Sequence, residues 1–278
     1  MSGLYMKYRY YILLLAGFWA ILPAYVIKPG YYLIDGAHDR DNVIRTLRVA
    51  LALLDYYEKG LCAGVEVSFF KDGKYFDRNK GPNWWEYYFE PLKVGNVTSD
   101  SLIRPATYQK TILSYLMRFE LPAHRAHELL HTYIKIQPIL AKESEEFIEH
   151  FAGYYLIGVY YEKSKHWLQS TVSYQTMYDA IVKAIPPEGS KVILLSKDPG
   201  FTQFLQERLN SHVIVPLELR RDAFAPNYIK GFNLLASLMI LSLCNTFITV
   251  AADAAELVGL FNPSQPNLML NEQWLLKE

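Results

Sequence analysis

The chain reads as an α/β protein built from two stacked layers, each a parallel sheet covered by helices. Two observations predict this. Short apolar runs, Tyr155–Tyr161, Lys191–Ser196 and Phe247–Val250, alternate with helical stretches, and strands apolar along their whole length are buried on both faces. The composition is 51% hydrophobic and 20% charged over 278 residues, which suits one large domain or two ordinary ones and excludes a disordered or low-complexity chain.

Taken in order, Tyr31–Ile34 is a short strand ending in Asp35-Gly36. Residues 41–57 place Val43, Ile44, Leu47, Ala50, Leu51 and Leu54 on one helical face. Val65–Phe70 is a strand turned by Asp72-Gly73, and Pro82–Phe89 is an aromatic patch with Gly81-Pro82 before it. Residues 106–151 have helical character broken at Pro122 and Pro138. The last 125 or so residues, by the same spacing rules, give helices over 173–185, 199–209, 228–243 and 254–261, with a further strand at 213–215. A boundary near residue 152 divides the body into 30–152 and 153–278.

Charge and cysteine content narrow the function. Lys and Arg number 28, as do Asp and Glu, so the chain lacks the basic excess that nucleic-acid binding needs. Cys62 and Cys244 cannot build a disulfide framework; both fall in apolar helical stretches and read as packing thiols. Residues 1–29 carry a Lys7-Tyr8-Arg9 flank, an apolar run from Tyr10 to Ile27, and a Lys28-Pro29-Gly30 stop. That pattern fits a signal peptide or a membrane anchor, since 18 residues span ~27 Å as a helix. The flank puts Lys7 and Arg9 on the cytoplasmic side and the body outside, so the expected location is membrane-anchored or secreted. Asn96-Val97-Thr98 is a glycosylation acceptor in a eukaryotic host.

One local motif carries chemistry of its own. His127-Glu128-Leu129-Leu130-His131 would set two histidines on one helical face, where with Glu149 they could ligate zinc and Glu128 could act as base. A solvated or interfacial helix face accounts for the same residues. Glu143, Glu145, Glu146 and Glu149 read as a hydrated helix surface. The sequence holds no phosphate-loop motif, no Gly-x-Ser-x-Gly elbow and no cysteine pair at metal spacing. The loop Asp35-Gly36-Ala37-His38-Asp39 follows the first strand, and loops after strand carboxyl ends are where open α/β sheets bind ligands.

In the second half, Ile136-Gln137-Pro138-Ile139-Leu140 is followed by an acidic helix and then by Leu156-Ile157-Gly158-Val159-Tyr160-Tyr161-Glu162-Lys163. The order and spacing of these segments bear a resemblance to the fucosyltransferase clan, which comprises the α1,2-, α1,6- and protein O-fucosyltransferases. The resemblance continues through Val192–Asp198 and through Leu241–Thr249. In the first half, the 35–41 loop with its helix and Trp85–Pro91 are similar to the clan's acceptor-side domain. The resemblance implies a GT-B fold of two Rossmann-like domains, with 30–152 on the acceptor side and 153–278 holding the nucleotide sugar. It implies GDP-fucose as donor, a glycan or glycoprotein as acceptor, no cofactor or metal, and inversion at the sugar.

Carried onto this chain, the implied donor site is Gly158, Tyr160, Lys163, Lys165, His166, Lys197, Asp198, Ala252 and Asp253. The implied acceptor side is Arg40 with the Trp84-Trp85 pair as a stacking platform, and Asp39 or His38 is the candidate base. The chain departs from the clan where it matters. The clan's His-x-Arg-Arg falls on Tyr160, Glu162 and Lys163, so the bidentate guanidinium grip on a diphosphate is missing, and a lysine does not reproduce it. Three readings therefore stand: an active glycosyltransferase, a non-catalytic binding or scaffold protein that keeps the fold, and a zinc hydrolase on His127, Glu128 and His131.

Overall fold

The computed structural model describes residues 30–34, 43–69, 75–96, 103–105, 121–162, 172–186, 189–209, 214–217, 226–250 and 252–270. The first layer runs β1 (Tyr31–Ile34), α1 (Val43–Glu58), β2 (Gly64–Val67), a 3-10 turn at Trp84–Tyr87, β3 (Lys93–Gly95) and β4 (Ile103–Pro105). Its sheet order is β3-β2-β1-β4, with β1 parallel to β2 and β4, and β3 antiparallel to β2 at the edge. Two helices follow, α2 (Ala123–Tyr133) and α3 (Pro138–Glu149). The second layer comprises β5 (Tyr155–Tyr161), α4 (Tyr174–Ala184), β6 (Ser190–Ser196), α5 (Pro199–Leu209), β7 (Ile214–Pro216), α6 (Asn227–Ser242), β8 (Thr246–Thr249), α7 (Ala252–Phe261) and β9 (Asn267–Met269). These five strands are all parallel, in the order β7-β6-β5-β8-β9.

Local sequence explains the main elements. Leu47, Ala50, Leu51 and Leu54 recur at helical spacing and are buried, so α1 turns one face onto Tyr32, Val65 and Val67 of the sheet. Gly60, at φ 69°, stops the helix: its N–H donates to Tyr57 O and that of Leu61 to Tyr56 O, satisfying carbonyls the helix leaves open. In β5, alternation divides one strand between two cores. Leu156 and Tyr160 join the cluster under α6 and α7, while Ile157, Val159 and Tyr161 join the one under α4 and α5.

The two layers share apolar packing. One buried cluster runs from β1, α1 and the Trp84–Tyr87 turn through α2 and α3 to α6 and the near face of β5 and β6. Polar pins reinforce it. Arg48 of α1 pairs with Glu256 of α7, and Tyr88 Oη donates to Tyr228 O at 2.8 Å. Arg125 of α2 binds Asp55 (3.1 Å) and Glu58 of α1.

Several expectations need correction. The second strand stops at Val67 because the Phe69 N–H turns away to Asn83 Oδ1 at 3.0 Å. The helical region breaks at Pro122 and Pro138 as expected, α2 starting just after the first and α3 opening on the second, while residues 106–120 lie outside the described residues. The three-residue strands β3, β4 and β9 were not expected; they add edges to strands already aligned. Cys62 and Cys244 lie just past the ends of α1 and α6 rather than within helices, and burial pushes their thiols up to about 11 and about 12. The Glu143, Glu145, Glu146 and Glu149 side chains are exposed, as a hydrated surface requires. Among the described residues no helix is long and apolar enough to cross a membrane; the Tyr10–Ile27 run lies outside them, as does Asn96's partner Thr98.

Gly231 of α6 sits against the aromatic turn. A Cβ there would come within 2.6 Å of Tyr88 Cζ and 2.9 Å of Tyr75 Cδ1, both on buried rings. Gly231→Ala is expected to lower unfolding free energy by about 1–3 kcal/mol through overpacking, despite the better helix propensity of alanine. Urea denaturation of the two proteins checks this.

Candidate active site at the carboxyl edge of the second sheet

The second sheet reverses strand order between β5 and β8, since the chain runs outward through β6 and β7 and then returns to the other side. At such a switch point the loops diverge and leave a crevice at the strand carboxyl ends. Register places the rim: Tyr160 is level with Thr249, and Tyr161 with Ser196. Beyond them follow Glu162, Lys197 and Asp198, and across β5 the backbone of Ala252 and Asp253 opens α7.

The polar groups of this rim are joined. Tyr160, itself buried, donates its hydroxyl to Glu162 Oε2 at 2.6 Å, and Lys197 Nζ donates to Glu162 Oε1 at 3.1 Å. Asp198 Oδ1 accepts the N–H groups of Gly200 (3.0 Å) and Phe201 (3.3 Å), capping α5. Its Oδ2 accepts from Tyr174 Oη at 2.7 Å. Ser196 Oγ accepts the Asp198 N–H at 3.1 Å, so the loop between β6 and α5 is tightly bound to itself. The bond from the Tyr174 hydroxyl to the Asp198 carboxylate, followed by burial, pushes the Tyr174 phenol up to about 12.

The expected site residues are brought together only in part. Tyr160, Lys197, Asp198 and the start of α7 do meet at one edge. Gly158 does not belong to it: it lies deeper in β5, where a Cβ would approach Leu241 Cδ2 at 3.1 Å and Cys244 Sγ at 3.3 Å. Its missing side chain lets α6 close on the sheet and offers nothing to a ligand. Asp198 has both carboxylate oxygens held by protein donors, which makes it a cap for α5. His38, Asp39, Arg40, Lys163, Lys165 and His166 lie outside the described residues.

The Trp84-Trp85 platform is overturned. Both indoles are 0% exposed. Trp84 stacks on Phe69 at 4.2 Å, and Trp85 lies against Phe89 at 4.3 Å with its Nε1 donating to Glu90 O at 3.1 Å. Their faces are core surface, and the large apolar area they bury explains why.

The zinc motif also has another use. His127 Nδ1 bonds Leu260 O at 2.8 Å, tying α2 to the end of α7, and its ring lies 4.2 Å from that of His131. Burial first, and His127 second, hold His131 below the ordinary histidine range. Among the described residues, which include Glu149, no three His, Cys, Asp or Glu side chains are grouped to hold a metal. The pair is an interface feature between helices. Glu162 is marked in the sequence only as standing where the clan has an arginine, and Tyr174 carries no sequence signal of its contact with Asp198. For Asp198 a signal was present in Asp198-Pro199, the order of an N-cap and first helical residue.

No protein-family model and no curated protein sequence matches the chain. Solved structures do. The crystal structure of the fucosyltransferase NodZ from Bradyrhizobium aligns with a TM-score of 0.61 at 15% identity, over 88% of this chain and 96% of that one. NodZ α-1,6-fucosyltransferase co-crystallised with GDP gives 0.57 at 15% identity, over 85% and 93%. POFUT1 in complex with GDP gives 0.50 at 10% identity, over 87% and 98%. The chain has the GT-B fold of the fucosyltransferases, as the pattern of its second half predicts.

Asp198 supplies a test of the rim. Its pairing keeps Tyr174 protonated in the folded protein to about pH 12, whereas an unfolded tyrosine ionises near ~10. The native state therefore gains stability that is complete below pH ~10 and is lost as pH rises from there toward 12. Asp198→Asn, which keeps a capping oxygen, should flatten that alkaline loss, measured by urea unfolding across pH 9 to 12. Asp198→Ala should also cost about 1 kcal/mol at neutral pH through the lost cap.

Proposed function

We propose that this chain is a glycosyltransferase that takes a nucleoside diphosphate sugar, GDP-fucose by likeness of fold, at the carboxyl edge of the second sheet. The observation that carries the reading is the strand reversal between β5 and β8, the kind of place where open α/β sheets bind ligands, with Glu162 and Lys197 at its rim and Tyr160 bonded to Glu162 from the core side. The GDP complexes of NodZ and POFUT1 share the fold and support the donor class.

In this reading the acceptor, a glycan or glycoprotein, approaches from the segment after β1, residues 35–42. Asp39 or His38 takes the proton of an acceptor hydroxyl as its oxygen attacks the anomeric carbon. The bond from that carbon to the diphosphate oxygen breaks on the opposite face, inverting the centre, and the nucleoside diphosphate leaves with the electron pair. Lys197, together with Lys163, Lys165 and His166 of the segment after β5, supplies positive charge to the departing group, in the role a metal fills elsewhere. Residues 1–29 would carry the body to a membrane or out of the cell.

A second reading has its own observation. Glu162 already binds the Lys197 ammonium, so the rim is weak at gripping phosphate, as a non-catalytic sugar-binding or scaffold protein could allow. Calorimetric titration of the full chain with GDP, followed by GDP-fucose turnover, separates the two. The transferase reading expects GDP binding, and a drop in turnover on the order of 10²-fold in Asp39→Asn or His38→Gln, whichever is the base, with GDP affinity kept. Indifference to GDP and to other nucleoside diphosphates overturns it in favour of the scaffold.

A further inference from the structure

We propose that Glu162 is the specificity-determining residue of the crevice: it neutralises Lys197 and weakens the hold on a bare nucleoside diphosphate. The proposal rests on the nucleotide-binding reading above and deepens it. Glu162 and Lys197 stand one residue beyond the level pair Tyr161 and Ser196, so adjacent strands deliver them to the same edge. The carboxylate is held in place from below by the Tyr160 hydroxyl at 2.6 Å, and from the side by Lys197 Nζ at 3.1 Å. Tyr160 is only 8% exposed, which gives the first bond a fixed anchor. The pair itself is open to solvent, with the Glu162 side chain 34% and the Lys197 side chain 55% exposed, so a ligand can reach both.

The charge consequence follows from the groups present. Among the described residues the edge of β5 and β6 carries the carboxylates Glu162 and Asp198 against the single ammonium Lys197. An approaching diphosphate meets a compensated ion pair rather than a free cation, and must compete with Glu162 for the lysine. Neutral, hydroxyl-rich parts of a ligand suffer no such penalty, because a carboxylate accepts hydrogen bonds from hydroxyls. The edge therefore favours the sugar-bearing nucleotide over the free diphosphate left after transfer, and eases loss of that product.

The test is calorimetric titration of the full chain, its Glu162→Gln variant and the Glu162→Gln/Lys197→Met double variant with GDP and with guanosine. Glutamine keeps an acceptor for Tyr160 while removing the charge. The expected result is GDP affinity raised roughly tenfold in Glu162→Gln, with a steeper loss on adding salt, and the gain abolished in the double variant. Guanosine binding, which involves no phosphate, should not change. Binding of GDP by Glu162→Gln alone, with none to the parent, overturns the proposal together with the transferase reading, since the parent then takes no nucleoside diphosphate for Glu162 to discriminate. GDP affinity equal or lower in Glu162→Gln while the parent binds overturns the proposal and leaves the nucleotide-binding reading intact. No GDP binding to any of the proteins overturns both.

Discussion

Strand β5 is the constraint on which the rest of the molecule depends. It is the middle strand of its sheet, and its six residues from Leu156 to Tyr161 are buried. Because successive side chains point to opposite faces, the strand must satisfy two cores at once. Ile157, Val159 and Tyr161 fill the one beneath α4 and α5, where Tyr161 stacks on Phe201 at 4.1 Å. Leu156, Gly158 and Tyr160 face α6, and glycine at the centre of that face is what permits helix and strand to approach. Full burial of each large apolar side chain is worth roughly 1.5–3 kcal/mol, so a register slip of one residue would forfeit both cores together. The same strand then emerges at the switch point, so the geometry of the candidate site is set by packing far below it.

The coupling of the two layers follows from that arrangement. The layers meet through an apolar cluster with polar pins at its margins. Tyr88 bonds the backbone at Tyr228, Arg48 reaches Glu256, and His127 reaches the carbonyl of Leu260. Each pin joins the first layer, or the helices that follow it, to α6 or α7. Those helices flank β8, so the first layer bears directly on one wall of the crevice. The aromatic turn at Trp84–Tyr87 is part of this wedge. Its indoles are consumed in packing, which is why a sugar has no access to them.

How much of this was legible in the sequence depends on where the determining contacts lie. β5, β6 and β8 could be read because burial on both faces leaves an uninterrupted apolar run. The three-residue strands Lys93–Gly95, Ile103–Pro105 and Asn267–Met269 could not, since they exist by pairing with a neighbour and carry no periodic pattern of their own. The role of Trp84 was hidden for the opposite reason. Phe69, Tyr75 and Tyr88 enclose it from separate segments, and a run of aromatics reads alike whether its faces end inside or outside. His127 and His131 matched a metal pattern along one helix, yet the decisive partner was a backbone carbonyl 133 residues away. Asp198 could have been read as an N-cap from the proline after it, whereas the bond from Tyr174 needed the fold.

Glu162 poses the clearest case of a residue whose presence stability does not explain. Solvent-exposed ion pairs are worth only about 0–1 kcal/mol, and Lys197 and Glu162 are both open to water. The cores on either side of β5 do not involve the carboxylate. Replacing it would therefore cost the fold little, while its charge acts with full sign on anything anionic that enters the crevice. The carboxylate stands one residue beyond the end of β5, facing the Lys197 ammonium at the carboxyl edge of the sheet. On the proposed reading such a charge, slight in its worth to folding, acts on an anionic ligand, and the bond from the buried Tyr160 holds it at the rim.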